Sequence, residues 1–427
     1  MTWRNSLTWL VAAAPLVIAG GVFVHQLGFR DAMLATDFRA YYTAGRMLLG
    51  GVRSDFYAPD TQWVWQHAWA PEVTGPADLS PFRNPPFVAA IFAPLALLPA
   101  EIAFGVWSSV NVALLITLLV FGQRALAGCS ARTRRRAVLL SVSFLPVVVA
   151  LLLGQLSLLL ALALLGAWAA FRSGHDARAG LWLAILLAKP QFLVLPALVL
   201  LIHRRWRAIG ALVGISVVLG LVSIALLGVD GMSSYVGLTT GTLGWQDSLA
   251  ISPQRMYTWR GLLQLLWQTD DPAPVQGYWL AGALLATLVT LAAWTRSWKW
   301  NPAGAGFDVR WAMVTVAALF TSPYANFHDV SLLVVAGVLT ARAAVADWQP
   351  GSARRALAAL PVVGYLSVLA TQLSAPVWHL QLSVMCMLVA IGILGWVALA
   401  ARLGGPEPSP EAGFGPSQTA AQPALVP

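Results

Sequence analysis

Long apolar segments, most of them without charged residues, follow one another along almost the whole of this chain. Hydrophobic residues make up 58% of the 427 positions, and charged residues only 10%. A soluble domain carries roughly a quarter charged residues, so this composition is far too apolar to cover a globule in water. Because a helix of about 20 apolar residues spans a bilayer, the pattern predicts an all-α polytopic membrane protein.

The apolar segments predict about twelve transmembrane helices. Several segments are too short for a full crossing, so two neighbouring pairs have two interpretations. Residues 138–153 with 156–171, and 179–188 with 190–202, form either two short helices that meet at a polar tip or one long bent helix. The predicted spans are 7–27, 103–122, 138–153, 156–171, 179–188, 190–202, 208–228, 277–294, 311–322, 328–345, 356–372 and 376–400.

Two of the segments between the spans are long, and both are predicted to be exterior loops, at residues 28–85 and 229–276. In the first loop, Asp37 is expected to cap a short helix that ends at Gly50. Its mixture of aromatic, aliphatic and Arg residues is typical of a helix that lies in the membrane plane. Residues 87–99 are also apolar but too short to cross, and are expected to form an interfacial helix.

Basic residues occur in short clusters between the apolar segments, which predicts cytoplasmic loops and cytoplasmic termini in a multi-pass protein of the cell membrane. The net charge of +9 therefore reflects topology, and we do not expect nucleic-acid binding. Residues 1–402 form the predicted transmembrane domain. Residues 403–427, rich in Gly, Pro, Ala and Ser, are expected to be a disordered cytoplasmic tail. The clusters are Arg132, Arg134, Arg135 and Arg136; Arg204, Arg205 and Arg207; and Arg354 and Arg355.

Under this topology, five polar clusters that are far apart in sequence lie at exterior ends of spans. Polar groups at membrane depth cost free energy unless they are paired, so their agreement in position predicts one pocket. The clusters begin at Asp37, Arg83, Gly154, Lys189 and Ser322. We predict eleven candidate site residues: Asp37, Tyr41, Arg83, Asn84, Gln155, Lys189, Gln191, Tyr324, Asn326, His328 and Asp329.

Each of these residues also has a purely structural interpretation. Asp37 is in place to cap a helix, and His328 with Asp329 could cap another. The Lys189 side chain could extend from a helix end to the lipid headgroups, and Gln155 could join two helices by a hydrogen bond.

The combination of side chains indicates a particular chemistry. A carboxylate acts as a general base toward a hydroxyl, Lys and Arg stabilise a departing phosphate, and His holds or moves a proton near neutral pH. These groups together suit transfer from a phosphate-linked lipid carrier to an alcohol. The sequence has no P-loop, no dinucleotide-binding glycine motif and no Cys/His cluster. Its one acidic pair, Asp270-Asp271, has no His or Cys near it, so we expect neither a cofactor nor a metal.

The same residues resemble the multi-spanning mannosyltransferases of the GT-C superfamily that use polyprenyl-phosphate donors, specifically glycosyltransferase family 87. Each motif is short, but the ordered series is moderately specific. The motifs are Asp37-Phe38-x-x-Tyr41-Tyr42-x-Ala44-x-Arg46 with Phe56-Tyr57, Arg83-Asn84-Pro85-Pro86-Phe87 with Pro94-Leu95, Gly154-Gln155, Ala188-Lys189-Pro190 with Arg204-Arg205-Trp206, and Ser322-Pro323 with His328-Asp329.

The resemblance implies a GT-C-type bundle and an inverting transfer of a sugar, usually mannose, from a polyprenyl-phosphate donor. The acceptor would be a glycolipid or glycan at the exterior face, without a metal. It implies Asp37 as the base, His328 near the donor phosphate and Lys189 as a phosphate contact. One departure concerns the donor side: relatives are expected to have an aromatic residue in the pattern Tyr-x-Pro-Pro, whereas this chain has Arg83 at that position.

Two other functions remain open from the sequence. Short, Pro-interrupted helices also occur around the central sites of transporters, so a transporter or lipid-carrier flippase is the leading alternative. However, the polar residues gather at one face rather than at the midplane. A glycan ligase with a diphosphate-linked donor is the second alternative, and it would depend on Arg and His more than on an Asp base.

Overall fold

The structure is a computed structural model that describes residues 17–18, 20–75, 78–243, 256–268, 272–295, 300–346 and 351–400. Within these ranges the chain is helical, apart from connections and one isolated bridge between Met256 and Asn326. The predicted disordered tail, 403–427, lies outside the described residues, and so does the acidic pair at 270–271.

Eighteen helices are described. They are α1 (20–28), α2 (Arg30–Leu34), α3 (Phe38–Leu49), α4 (Pro59–His67), α5 (Pro86–Phe92), α6 (Ala100–Ala125), α7 (Ala131–Val142), α8 (Leu145–Leu152), α9 (Ser157–Arg172), α10 (Asp176–Ala184), α11 (Val194–Ile202), α12 (Trp206–Leu243), α13 (Trp259–Trp267), α14 (Pro272–Thr295), α15 (Ala305–Thr321), α16 (Leu333–Ala344), α17 (Gly351–Trp378) and α18 (Leu382–Ala400). Short 3₁₀ turns separate some of them, at Leu95–Leu97, Ile185–Ala188, Pro190–Phe192 and Phe327–Leu332.

The all-helical membrane architecture predicted from the sequence is confirmed. A helix lies over each predicted span, and for the first span over its described part. Of the described helices, six are long and apolar enough to cross a membrane, or seven if the bent α7–α8 pair is one span. The other helices over predicted spans are shorter, so the number of complete crossings stays a prediction.

Both ambiguous pairs of spans are broken at a polar tip, and the first span of the first pair is broken again between α7 and α8, which are bent by 47°. Between α8 and α9, Gly154 adopts a left-handed conformation with φ of +67°, which glycine reaches without the steric cost of a Cβ atom. A Cβ atom there would also lie 3.2 Å from the Trp107 ring. In the second pair, the 3₁₀ turn that follows α10 ends at Ala188, and Lys189 connects it to the turn that begins at Pro190.

α12 covers the predicted span 208–228 and is broken at its predicted end, because Gly228, with φ of +72° and ψ of −178°, is not helical. Beyond this kink a second helical segment of α12 continues to Leu243. The extension packs against the first predicted exterior loop, where the rings of Tyr57 and Tyr235 have centroids 5.4 Å apart. The predicted second loop, 229–276, therefore contains the end of α12 and all of α13.

The first predicted exterior loop contains the expected short helices. α3 ends at Leu49, directly before Gly50, as predicted. It packs closely on α5, since a Cβ atom at Gly45 would lie 2.7 Å from the carbonyl oxygen of Phe92. The segment after Pro85 is broken, with α5 followed by a 3₁₀ turn. That these helices lie in the membrane plane stays a prediction.

Candidate active site

The first turn of α3 and the tip between α8 and α9 are joined by backbone hydrogen bonding. The N–H of Phe38 donates to the carbonyl of Leu153 over 3.1 Å. The indole N–H of Trp107, from α6, donates to the carbonyl of Gly154 over 2.7 Å. These contacts place Asp37, the residue before α3, beside Gln155.

Asp37 does not cap its helix, because its side chain makes no hydrogen bond with the backbone of the first turn. Instead, the amide nitrogen of Gln155 donates to Oδ2 of Asp37 over 2.7 Å. The other end of the same amide accepts from the Tyr41 hydroxyl over 2.9 Å. Burial raises the pKa of Tyr41 well above its ordinary value, so this hydroxyl remains a donor. The Asp37 side chain keeps 38% of its surface exposed, which leaves it within reach of a substrate.

His328 faces Asp37 from the opposite side. Its Nδ1 atom lies 3.9 Å from Oδ2 of Asp37, and its Nε2 atom lies 3.2 Å from the Lys189 ammonium. A Lys ammonium only donates hydrogen bonds. Nε2 of a neutral His328 therefore accepts, and the ring proton lies on Nδ1, directed toward Asp37.

Asp329 is fully buried, and the protein itself saturates its carboxylate. Oδ1 accepts from Lys189 and from the Ser157 hydroxyl, each over 2.7 Å, and Oδ2 accepts from the backbone N–H of Asn326 over 3.0 Å. Asp329 therefore belongs to a capping box with Asn326 at the start of its turn, as its structural interpretation suggested. The same contact keeps the Lys189 ammonium inside the protein, where the lysine is 8% exposed, rather than extended to the headgroups.

Tyr324 and Asn326 lie next to this ion pair. The Asn326 amide donates to the Tyr324 hydroxyl oxygen over 3.1 Å, and Gln191 donates to the Tyr324 carbonyl over 3.1 Å. Burial raises the pKa of Tyr324 to about 12. Its hydroxyl is therefore neutral at physiological pH, and its own proton is available to donate.

Arg83 and Asn84 approach from the segment before α5. The Arg83 guanidinium lies 5.8 Å from the centre of the Tyr324 ring, within the range of a cation–π contact. Asn84 donates to the carbonyl of Ala188 over 2.9 Å, next to Lys189, and its own carbonyl accepts from Tyr57 over 2.8 Å. The structure thus brings together all eleven residues that the sequence singled out.

A comparison with protein-family models identifies the chain. The model of glycosyltransferase family 87 matches residues 82–323, which is more than half of the chain. The chain belongs to glycosyltransferase family 87. It is therefore a membrane glycosyltransferase, as the resemblance implied.

Other comparisons are more distant. The family 87 chain is 16% identical to ArnT from Cupriavidus metallidurans in the apo state, with a TM-score of 0.37, and the match covers 93% of this chain and 78% of ArnT. ArnT bound to undecaprenyl phosphate is 14% identical with a TM-score of 0.36, and that match covers 91% and 77% of the two chains. Among curated proteins, no sequence matches.

The family match covers Arg83, Gln155 and Lys189, but it begins after Asp37 and ends before His328. The assignment of these two residues to the site of this family 87 chain therefore rests on geometry. Both side chains contact or face residues inside the matched region. No group of three or more His, Cys, Asp or Glu side chains in the described part of the chain is arranged to hold a metal ion.

Several residues that support the site were not predicted from the sequence. The backbone N–H of Tyr257 donates to the carbonyl of Ala325 over 2.7 Å, and Arg260 of α13 donates to the carbonyl of Pro323 over 3.4 Å. Arg260 is 1% exposed and lies 5.1 Å from the Trp279 ring centre. One sequence feature could have predicted them. Thr258 is a typical N-cap residue, and it caps α13, a short amphipathic helix within the predicted second loop.

Proposed function

We propose that this family 87 chain is an inverting glycosyltransferase that moves mannose from a polyprenyl-phosphate donor to a hydroxyl of a glycolipid or glycan. The reaction would take place at the exterior face of the cell membrane, without a metal or another cofactor. The donor, the choice of mannose and the face follow from the family resemblance and the distribution of basic residues.

One observation carries the proposal. The Asp37 carboxylate is withdrawn from helix capping, is held by Gln155 through Oδ2, and faces the His328–Lys189 pair. No hydrogen bond reaches Oδ1 of Asp37 from any residue that the structure describes. A partly exposed carboxylate with one free oxygen, opposite a buried cation, is the arrangement that a general base and a phosphate site require.

The proposed reaction follows from this arrangement. Oδ1 of Asp37 removes the proton from an acceptor hydroxyl, whose oxygen attacks the anomeric carbon from the face opposite the phosphate. The bond between the anomeric carbon and the phosphate oxygen breaks, the configuration inverts, and the lipid phosphate leaves. Lys189 and Arg83 stabilise the charge that develops on this phosphate, and His328, which accepts from Lys189, orients that ammonium. The Lys189 ammonium has three donors, of which Asp329 and His328 engage two, so one remains for the phosphate.

Two of the candidate site residues have a positioning role in this proposal. Both ends of the Gln155 amide contact Tyr41 and Asp37, and the Asp329 carboxylate is saturated by the protein. We assign Gln155 the positioning of the base, and Asp329 the positioning of Lys189.

The test is transfer from a synthetic short-chain polyprenyl-phosphate mannose to a panel of acceptors by purified protein. We expect Asp37→Asn to lower turnover by about 10²- to 10⁴-fold, the usual contribution of a general base. Folding should be intact, because Asp37 makes no cap contact. A chelator should leave wild-type turnover unchanged.

The matched control is Asp31→Asn, which changes an exposed aspartate of the same region and should behave as wild type. A well-folded Asp37→Asn protein with near-normal turnover would remove Asp37 as the base. If wild type forms no product with any lipid-phosphate sugar, the transporter or flippase alternative would gain support instead.

A further inference from the structure

A cavity of about 320 Å³ lies apart from the active site, between α7, α16, α17 and α18. α16 forms its floor, since α7 and α17 both pack against α16. A glycine and a proline-containing helix border this space. Gly337 lies on the floor, and Pro361 interrupts α17 opposite it, with its Cβ atom 3.7 Å from the position that a Cβ of Gly337 would take. A proline inside a helix removes a backbone hydrogen bond and bends the helix.

The lining indicates what can fill this cavity. Most of it is aliphatic, including Leu140, Val334 and Leu394, and the exposed side chains of Val345 and Val362 lie at its rim. The lining also includes hydroxyl groups, but the backbone engages several of them, as in the bonds from Thr340 to Ala336 and from Tyr365 to Ser143, so the walls offer few of the two to four polar partners that a buried water needs. Because α16 and α17 are both candidate membrane spans, the rim faces the hydrocarbon of the bilayer. A hydrocarbon chain is therefore the suitable occupant.

One charged residue lies at the wall of this cavity. Arg136 of α7 lines it, together with Thr133. Its side chain is exposed, and the structure shows no hydrogen bond or ion pair between it and any other described residue. A guanidinium binds phosphate oxygens in a bidentate manner. From Arg136 to the end of α7 at Val142 the helix rises roughly 9 Å at about 1.5 Å per residue. Phe144, beyond that end, also lines the cavity, so a hydrocarbon chain has room below the charge.

We propose that this cavity binds one acyl chain of an anionic phospholipid whose headgroup phosphate contacts Arg136. The site is separate from the active site. The bent pair α7–α8 runs from Arg136 to Leu152, beside Gln155, so Arg136 and the catalytic residues lie at opposite ends of that pair. The proposal does not depend on the identity of the sugar donor.

The test is lipid binding to the full-length protein in non-ionic detergent, measured by native mass spectrometry. Phosphatidylglycerol and phosphatidylcholine with identical acyl chains are the probes. We expect wild type to bind phosphatidylglycerol at least tenfold more tightly, and Arg136→Gln to reduce this binding to the level of phosphatidylcholine. Arg135→Gln is the matched control, since Arg135 is also exposed but does not line the cavity, and it should retain the preference.

A second variant tests the cavity itself. Gly337→Leu should fill the space and reduce binding of both lipids while Arg136 remains. A melting temperature equal to that of wild type shows that the variant is folded. The proposal is overturned if wild type does not distinguish the two lipids, or if Arg135→Gln and Arg136→Gln lose the same binding, which would indicate surface charge alone. Displacement of phosphatidylglycerol by polyprenyl phosphate would also overturn it, because the cavity would then hold the donor chain.

Discussion

At the scale of single residues, the candidate active site depends on side chains that are hydrogen-bonded to other protein groups and hold the proposed reacting groups in place. Gln155 joins Tyr41 to Asp37, and Asp329 holds Lys189 beside His328. Such contacts limit the orientations of the two groups that are proposed to react with substrate. Pre-organisation of this kind lowers the cost of reaching the reactive geometry.

Gln155→Leu should lower turnover while leaving the KM for the donor nearly unchanged. Loss of a hydrogen bond to a charged group costs about 1.5–3 kcal/mol, or roughly 10- to 150-fold in rate if the bond acts in the transition state. Steady-state kinetics on the purified variant measure this. Gln123→Leu, whose glutamine bonds the Arg134 carbonyl instead, is the control. A raised KM with unchanged turnover would instead make Gln155 a substrate-binding residue.

Gly154→Ala should lower both stability and turnover. An L-residue in the left-handed region costs roughly 1–2 kcal/mol, and the new Cβ atom would lie 3.2 Å from Trp107 and 3.3 Å from Phe38, which displaces the tip that carries Gln155. The control is Gly174→Ala, which has similar strain at φ of +73° but open space around it. Melting temperature and turnover per folded molecule are the measurements. Equal turnover losses in the two variants would contradict the prediction.

At the scale of helices and connections, the site is held together by contacts between segments that are far apart in the sequence. The segment from Tyr257 to Arg260 borders residues 322–326 through backbone pairing and a guanidinium contact. Gln381, next to α18, fixes the same segment by donating to the carbonyl of Met256 over 2.8 Å. Elements beyond the sequence motifs therefore hold the segment that carries Tyr324 and Asn326.

Arg260→Met should reduce turnover by up to about tenfold, because the Pro323 carbonyl loses a charged donor. This hydrogen bond is long, at 3.4 Å, so its loss should cost no more than about 1.5 kcal/mol. The aliphatic replacement still packs against Trp279. Turnover and melting temperature should be measured beside Arg178→Met, which changes an exposed arginine. Unchanged turnover in a folded Arg260→Met protein would show that α13 does not support the site.

At the scale of the whole molecule, two kinds of contact hold the bundle together. Apolar side chains on the long helices face outward, such as Leu221 and Leu285, and a bilayer rather than water suits such a surface. Inside, a buried ion cluster joins three helices away from the active site. Asp308 of α15 accepts from Arg172 over 3.2 Å and from Arg342 over 2.9 Å, and the indole of Trp168 donates to it over 2.9 Å.

Asp308→Asn should destabilise the protein without changing the chemistry of the site. Removing one member of a buried ion pair leaves an uncompensated charge and costs about 3–5 kcal/mol; here two arginines would lose their partner. The melting temperature in detergent should fall, while turnover per folded molecule stays near wild type. Asp230→Asn, at an exposed position, should change stability by no more than about 0.5 kcal/mol. Equal melting temperatures would show that the cluster is not stabilising.

Much of this architecture was predictable because a bilayer permits few backbone structures. Every backbone polar group must be satisfied within the membrane, so the apolar segments had to be helices, and their alternating direction brought Asp37, Gln155, Lys189 and His328 toward the same end. Residue spacing predicted the break at Gly228 but not the second helical segment of α12 that follows it to Leu243, because that segment depends on what it packs against.

The sequence by itself determined the membrane class, the all-helical fold and the family, and it predicted the eleven candidate residues that the structure brings together. Only the tertiary structure decided which atoms each of these residues contacts. Asp37 resembled a helix cap until its carboxylate was found bonded to Gln155, 118 positions away, and Lys189 resembled an interfacial lysine until it was found on Asp329, 140 positions away. The physical reason is that a hydrogen bond requires its atoms within about 3.2 Å at a suitable angle. Sequence periodicity places a residue on a face or at a helix end, but it does not fix a distance of that precision.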